Sequence, residues 1–196
     1  MPGNFRSSDE LLPGDLLGFS GRYWSSAAIN IATYGIPLWS LSHVAIVGEH
    51  NDQRVLFESK TDASRPCLVT GKNVSGTQAH PIKETIDEYH GKVWHYPLFR
   101  KLYDFERGRL NNFLHEYLGH SYDQIGAFRA GGVGFSWVES WLHPESLSSL
   151  FCSEYCCAAH SSIGVFPTDN VARWSPNRLV RKERRMGILM PPRRLK

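Results

Sequence analysis

Cys152 stands in Phe-Cys-Ser-Glu-Tyr-Cys-Cys (151–157), and far upstream a Ser-His-Val-Ala-Ile-Val run (42–47) holds His43. A thiol, an imidazole and a carboxylate are the parts of a nucleophile, its base and the group that orients the base. Glu58, in the next apolar run after His43, can supply the carboxylate. From 152 to about 162 the pattern is helical, which predicts that Cys152 opens a helix. At such a start the partial positive charge and unpaired N–H groups favour a thiolate. The competing expectation is that Cys152 is a small buried apolar residue and His43 a core histidine with satisfied hydrogen bonds.

A hairpin must bring His43 and Glu58 together. Leu41 to Val47 reads as a strand, 48–53 as a turn and Arg54 to Ser59 as the returning strand. With a four-residue loop at 49–52, opposed positions sum to 101 and His43 faces Glu58 directly. With a two-residue loop at Asn51-Asp52 the sum is 103, and Glu58 becomes a diagonal neighbour on His43's face.

Around the hairpin, Pro13-Gly14-Asp15 predicts a turn feeding a buried strand, and the apolar positions 24, 27, 28 and 31 predict a helix. Asp15 is expected to serve that turn. Residues 62–78 read as an irregular loop, Pro81 to Tyr89 as a short helix and Lys92 to Leu98 as a strand. Asp104 can cap a helix whose stripe is Leu110, Phe113, Leu114, Tyr117 and Leu118, ended by Gly119. The Gly- and Trp-rich stretch 126–150 reads as a loop shaping a cleft, and Ser175-Pro176 opens a last short helix. Strands and helices do not alternate, so the expected class is α+β with an antiparallel sheet packed on the cysteine helix.

The chain has 196 residues, 41% of them hydrophobic and 12% aromatic, which suits one core and one domain, here 11–180 after a polar leader of 1–10. That leader is unlike a secretory signal, and a cytoplasmic location is expected. Four cysteines, three at 152, 156 and 157, do not have the spacing of a disulfide framework and read as reduced thiols. The net charge of +3 is mild, but Arg178, Arg181, Lys182, Arg184, Arg185, Arg193, Arg194 and Lys196 face one acid, Glu183. From 181 onward this reads as a basic tail able to touch anionic lipid or phosphate. Specific nucleic-acid binding is not expected, and oligomeric state is not legible.

Five motifs in one order, Pro-Gly-Asp-Leu-Leu (13–17), Ser-His-Val-Ala-Ile-Val (42–47), Glu58, Gly-His-Ser-Tyr-Asp (119–123) and Phe-Cys-Ser-Glu (151–154), resemble the circularly permuted NlpC-type papain-like cysteine hydrolases, the YiiX-like group. More distantly, the chain resembles lecithin retinol acyltransferase-like proteins. The resemblance implies a permuted papain-like fold, Cys152 as nucleophile, His43 as base, Glu58 as third member and Tyr122 as a cleft wall. Tyr122 could donate to a developing oxyanion beside the Cys152 N–H. The 126–150 stretch and the Cys156-Cys157 doublet depart from the family pattern and put the substrate in question.

The reading adopted is a thiol hydrolase that cleaves an amide, such as a peptide or cell-wall peptide, without a cofactor. The alternatives are lipid-directed thioesterase or acyltransferase chemistry on the same residues, or a module that binds lipid or peptide without cleaving it. Cys152, Cys156 and His160 share a helix face at i, i+4 and i+8, which raises a zinc site, but ligands spread over two turns of one helix cannot all reach one ion.

Overall fold

The computed structural model describes residues 10–21, 41–120, 144–167 and 174–196. The helix expected at 24–31, most of the 126–150 stretch and Tyr122 lie outside them. In chain order the elements are β1 (Leu16–Gly21), β2 (His43–His50), β3 (Gln53–Lys60), β4 (Gly76–Pro81), α1 (Ile82–Glu88), β5 (Gly91–Tyr96), α2 (Asp104–Glu116), α3 (Pro144–Ser162), α4 (Pro176–Arg185) and β6 (Arg193–Arg194). Their strands form one antiparallel sheet in the order β4-β3-β2-β1-β5-β6, so the fold is mixed α+β.

Strand alternation divides the core into two layers. Leu16, Val44, Ile46, Val55, Phe57 and Ala79 turn to one face, packing with Leu110 and Leu114 of α2, Cys152, Tyr155 and Cys156 of α3, and Leu179 of α4. Leu17, Phe19, Ala45, Val47, Leu56 and Val93 fill the other, under Ile82 and Ile86 of α1. The hairpin turns at Asn51 and Asp52, with φ of 49° and 61°, and pairs His50 with Gln53. This is the two-residue alternative, and Asn and Asp are the non-glycine residues that best tolerate those angles.

Three expectations are corrected. Cys152 does not open its helix: α3 starts at Pro144, so the thiol lies well inside it. The segment before 79 is not all loop, because Gly76–Pro81 forms the edge strand β4 against β3. Residues 181–196 are not a separate tail. Arg181–Arg185 complete α4, Arg193 and Arg194 pair with β5, and the Lys196 ammonium donates to the Ile86 and Asp87 carbonyls.

Two buried polar knots hold β1 against its surroundings. Asp15, fully buried, accepts from the Leu12 N–H (2.9 Å), the Leu98 N–H (3.0 Å) and His95 Nε2 (2.7 Å), joining the Pro-Gly-Asp turn to the end of β5. Gly14 takes a left-handed φ of 90°, and its carbonyl accepts from His160 Nε2 at 2.8 Å. The other nitrogen of His160, Nδ1, bonds Glu183 of α4 at 2.8 Å. Burial alone would lower the His160 pKa, but the Glu183 carboxylate, the Gly14 carbonyl and the Asp15 charge hold it above the ordinary 6.5.

A raised folded-state pKa means that this stabilisation is complete below pH 6.5 and is lost as pH rises through the folded value. Urea unfolding across pH should show that decline, and His160→Ala should remove it while costing about 3 kcal/mol, since Glu183 would be left buried without its partner. A variant as stable as the parent, with the same pH slope, would show that His160 is not what ties α3 to α4 and to the turn before β1.

Candidate active site

His43 is the first residue of β2 and lies opposite Phe19 of β1, whose ring centroid is 5.6 Å from the imidazole. The β2–β3 pairing ends at Ile46 and Phe57, so His43 and Glu58 stand beyond the last rung, where the two strands are no longer laced together. His43 Nε2 bonds Glu58 Oε2 at 2.8 Å. The thiol of Cys152, arriving from α3 on the opposite face, reaches His43 at this open end of the ladder and hydrogen-bonds it. With Nε2 engaged by Glu58, Nδ1 is the ring nitrogen left to exchange a proton with sulfur.

Burial disfavours a charged His43, yet its pKa is pushed up to about 10. The largest upward pull is negative charge on the Cys152 sulfur, which also accepts a hydrogen bond from the imidazolium; the Glu58 carboxylate adds to it. The imidazolium is therefore the stable form at neutral pH, as a thiolate–imidazolium pair requires.

Glu58 is 3% exposed and has three partners. One oxygen serves His43; the other, Oε1, accepts from His80 Nδ1 at 2.9 Å and lies 3.1 Å from the Lys60 ammonium. Against the cost of burial, the two histidines and Lys60 hold this carboxyl well below the usual carboxylate range. His80 is 1% exposed, and among the described residues its Nε2 has no hydrogen-bond partner. Facing a carboxylate, Nδ1 of His80 is the donor in this bond. Sequence reading missed His80 because it missed β4. The register, with Leu56 opposite His80 and Glu58 opposite Gln78, makes His80 a diagonal neighbour of Glu58.

Cys67 is also new. Its sulfur accepts from the Ala79 N–H at 3.3 Å, and the N–H and hydroxyl of Thr70 join in. Burial opposes these donors, yet they draw the Cys67 pKa below the ordinary 9.0. Burial pushes the Cys156 thiol the other way, so it stays protonated. His160 has both nitrogens engaged, and among the described residues no group of three or more His, Cys, Asp or Glu side chains is placed to hold a metal ion.

The helix interior has two chemical consequences. The dipole effect is confined to terminal turns, so Cys152 lacks the stabilisation expected of a helix start. Its backbone N–H is committed to the preceding turn and is not a free oxyanion donor.

No family model and no curated protein matches this chain. Among solved structures it is similar to the metalloprotein yiiX from Escherichia coli O157:H7, at 20% identity and a TM-score of 0.49, over 92% of this chain and 87% of that one.

In solution, His43 followed by NMR should titrate near pH 10, and Cys152→Ala should lower that midpoint more than Glu58→Gln does, in the order of the two pulls. A wild-type midpoint near 6.5 that neither substitution moves would mean that the three groups do not act as a unit.

Proposed function

We propose that the protein is a thiol hydrolase acting on an acyl carbonyl, most plainly an amide, on a permuted papain-like version of the α+β fold. The observation that supports this is the unbroken chain of contacts from the buried Cys152 sulfur to His43 and from His43 to Glu58. Cys152 as thiolate attacks the carbonyl carbon, and the imidazolium of His43 gives its proton to the leaving amine. The thioester at Cys152 is then hydrolysed by a water that His43 deprotonates, which returns the free thiol. Glu58 holds the ring's tautomer and its charge, and His80 with Lys60 hold Glu58. With the Cys152 N–H committed to its helix, the oxyanion needs another donor, and Tyr122 is the candidate for that role.

Cys152 is fully buried, whereas His43 is 19% exposed, so substrate reaches the site from the imidazole side and the thiol must be uncovered for attack. The donors around Cys67 lower its pKa, and although it is buried, labelling is best read in a Cys67→Ser background. There, brief iodoacetamide treatment at neutral pH should modify Cys152 ahead of Cys156 and Cys157, and His43→Ala should suppress it. Equal labelling of the three would refute an activated Cys152.

Against an amide substrate turned over by the native chain, Cys152→Ala and His43→Ala should each lower kcat by at least about 10³-fold, with the double variant no worse than either. Glu58→Gln and His80→Ala should be milder, about 10-fold to 100-fold, and should lower kcat and shift the His43 titration without moving KM. Thermal melts of each variant separate loss of chemistry from loss of fold. Undiminished turnover by Cys152→Ala would overturn the mechanism.

A further inference from the structure

We propose that the surface built by α4 and the 99–105 segment docks on an anionic lipid bilayer, whatever reaction Cys152 carries out. Four large apolar side chains stand in water there: Phe105 at 65% exposure, Phe99 at 53%, Tyr103 at 48% and Met186 at 41%. Single exposed apolar residues need no explanation, but these four lie on two neighbouring segments. The Phe99 N–H donates to the Ile188 carbonyl at 2.9 Å, which brings the 99–105 segment alongside the chain just past Met186 and the end of α4. The Arg100 guanidinium lies over the rings of Phe99 (5.9 Å) and Tyr103 (4.7 Å), and Tyr103 stacks on Phe105 at 6.0 Å.

The charge beside this patch is one-sided. Helix α4 buries Leu179, Val180 and Glu183, so its exposed residues include Arg178, Arg181, Lys182, Arg184 and Arg185. Its one acid, Glu183, is turned inward to His160. Near the aromatic rings Glu106 is paired with Arg100, while the exposed Asp104 shares Arg107 with Glu49. A row of cations running straight into Met186 and three aromatic rings is the make-up of an interfacial surface. Rings of this kind settle at headgroup depth while Lys and Arg pair with anionic lipid. A nucleobase would need open ring faces, which Tyr103 and Phe105 spend on each other and on Arg100.

The test is co-sedimentation of the full chain with vesicles of phosphatidylcholine alone or with one-third phosphatidylserine, in parallel with a short DNA duplex. Binding should be at least about tenfold stronger to the serine-containing vesicles than to the neutral ones, and should weaken as salt is raised from about 0.1 M to 0.5 M. Arg181→Gln with Arg185→Gln should cost at least about tenfold. Phe99→Ser with Phe105→Ser should cost a similar factor and leave a salt-sensitive remainder. Should that pair perturb the thermal melt, Phe105→Ser alone, the most exposed of the four, gives the same reading with a smaller loss. Failure to bind anionic vesicles overturns the proposal, as does binding unaffected by the phenylalanine substitutions, or a preference for the duplex over the vesicles.

Discussion

A carboxylate taken out of water must be surrounded by donors and positive charge, or it protonates or destabilises the fold. Glu58 meets that demand with His43 on one oxygen and His80 and Lys60 on the other. The three donors come from β2, β3 and β4, so the hairpin register and the edge strand both answer to this one group. His43, held protonated against burial, and Lys60 thus bring positive charge to a carboxylate that burial would otherwise neutralise.

At its far end, α3 is pinned by a second polar knot. His160, two turns beyond Cys152, reaches the Gly14 carbonyl and Glu183, while Asp15 next to Gly14 holds His95 and the Leu98 N–H. A face repeating at i, i+4 and i+8 therefore has three different duties: Cys152 meets His43, Cys156 packs in the apolar layer, and His160 anchors the helix to β1. The pattern that suggests a metal site in the sequence is the face of one helix laid along a sheet. The Pro-Gly-Asp turn, 137 residues upstream of Cys152, thereby helps to set where the sulfur sits.

The hairpin is legible because two short apolar runs, Val44–Val47 and Val55–Phe57, flank a turn at Asn51-Asp52, and a two-residue turn fixes the face of every side chain on both strands. The end of the β2–β3 pairing is not legible, since nothing in 43–45 or 58–60 announces that the strands part there. Gly-Thr-Gln-Ala-His-Pro has one β-branched residue, Thr77, and is otherwise made of residues with little preference for a free-standing strand. It becomes one by pairing with β3, and His80 went unseen with it. Pro144-Glu145 is a helix-start signal hidden in a Gly- and Trp-rich context, and the apolar density from 152 drew the expected start to the wrong place. The basic residues after 181 read as a tail because charge conceals the buried Leu179, Val180 and Glu183 that seat α4.

Moving Cys152 from a helix start to a helix interior changes what must activate it. A terminal thiol would draw on the dipole and on free N–H groups, and would keep part of its reactivity without a base. An interior thiol has neither resource, so in the proposed mechanism its negative charge must be supported through His43, and His43 through Glu58. The proposed acyl transfer uses such a coupling, because the same proton must leave the sulfur before attack and reach the leaving group after it. Under the proposed function, the polar shell of Glu58, His80 and Lys60 would keep that proton on the ring between the two steps, so residues of β3 and β4 would take part in the chemistry of a thiol on α3.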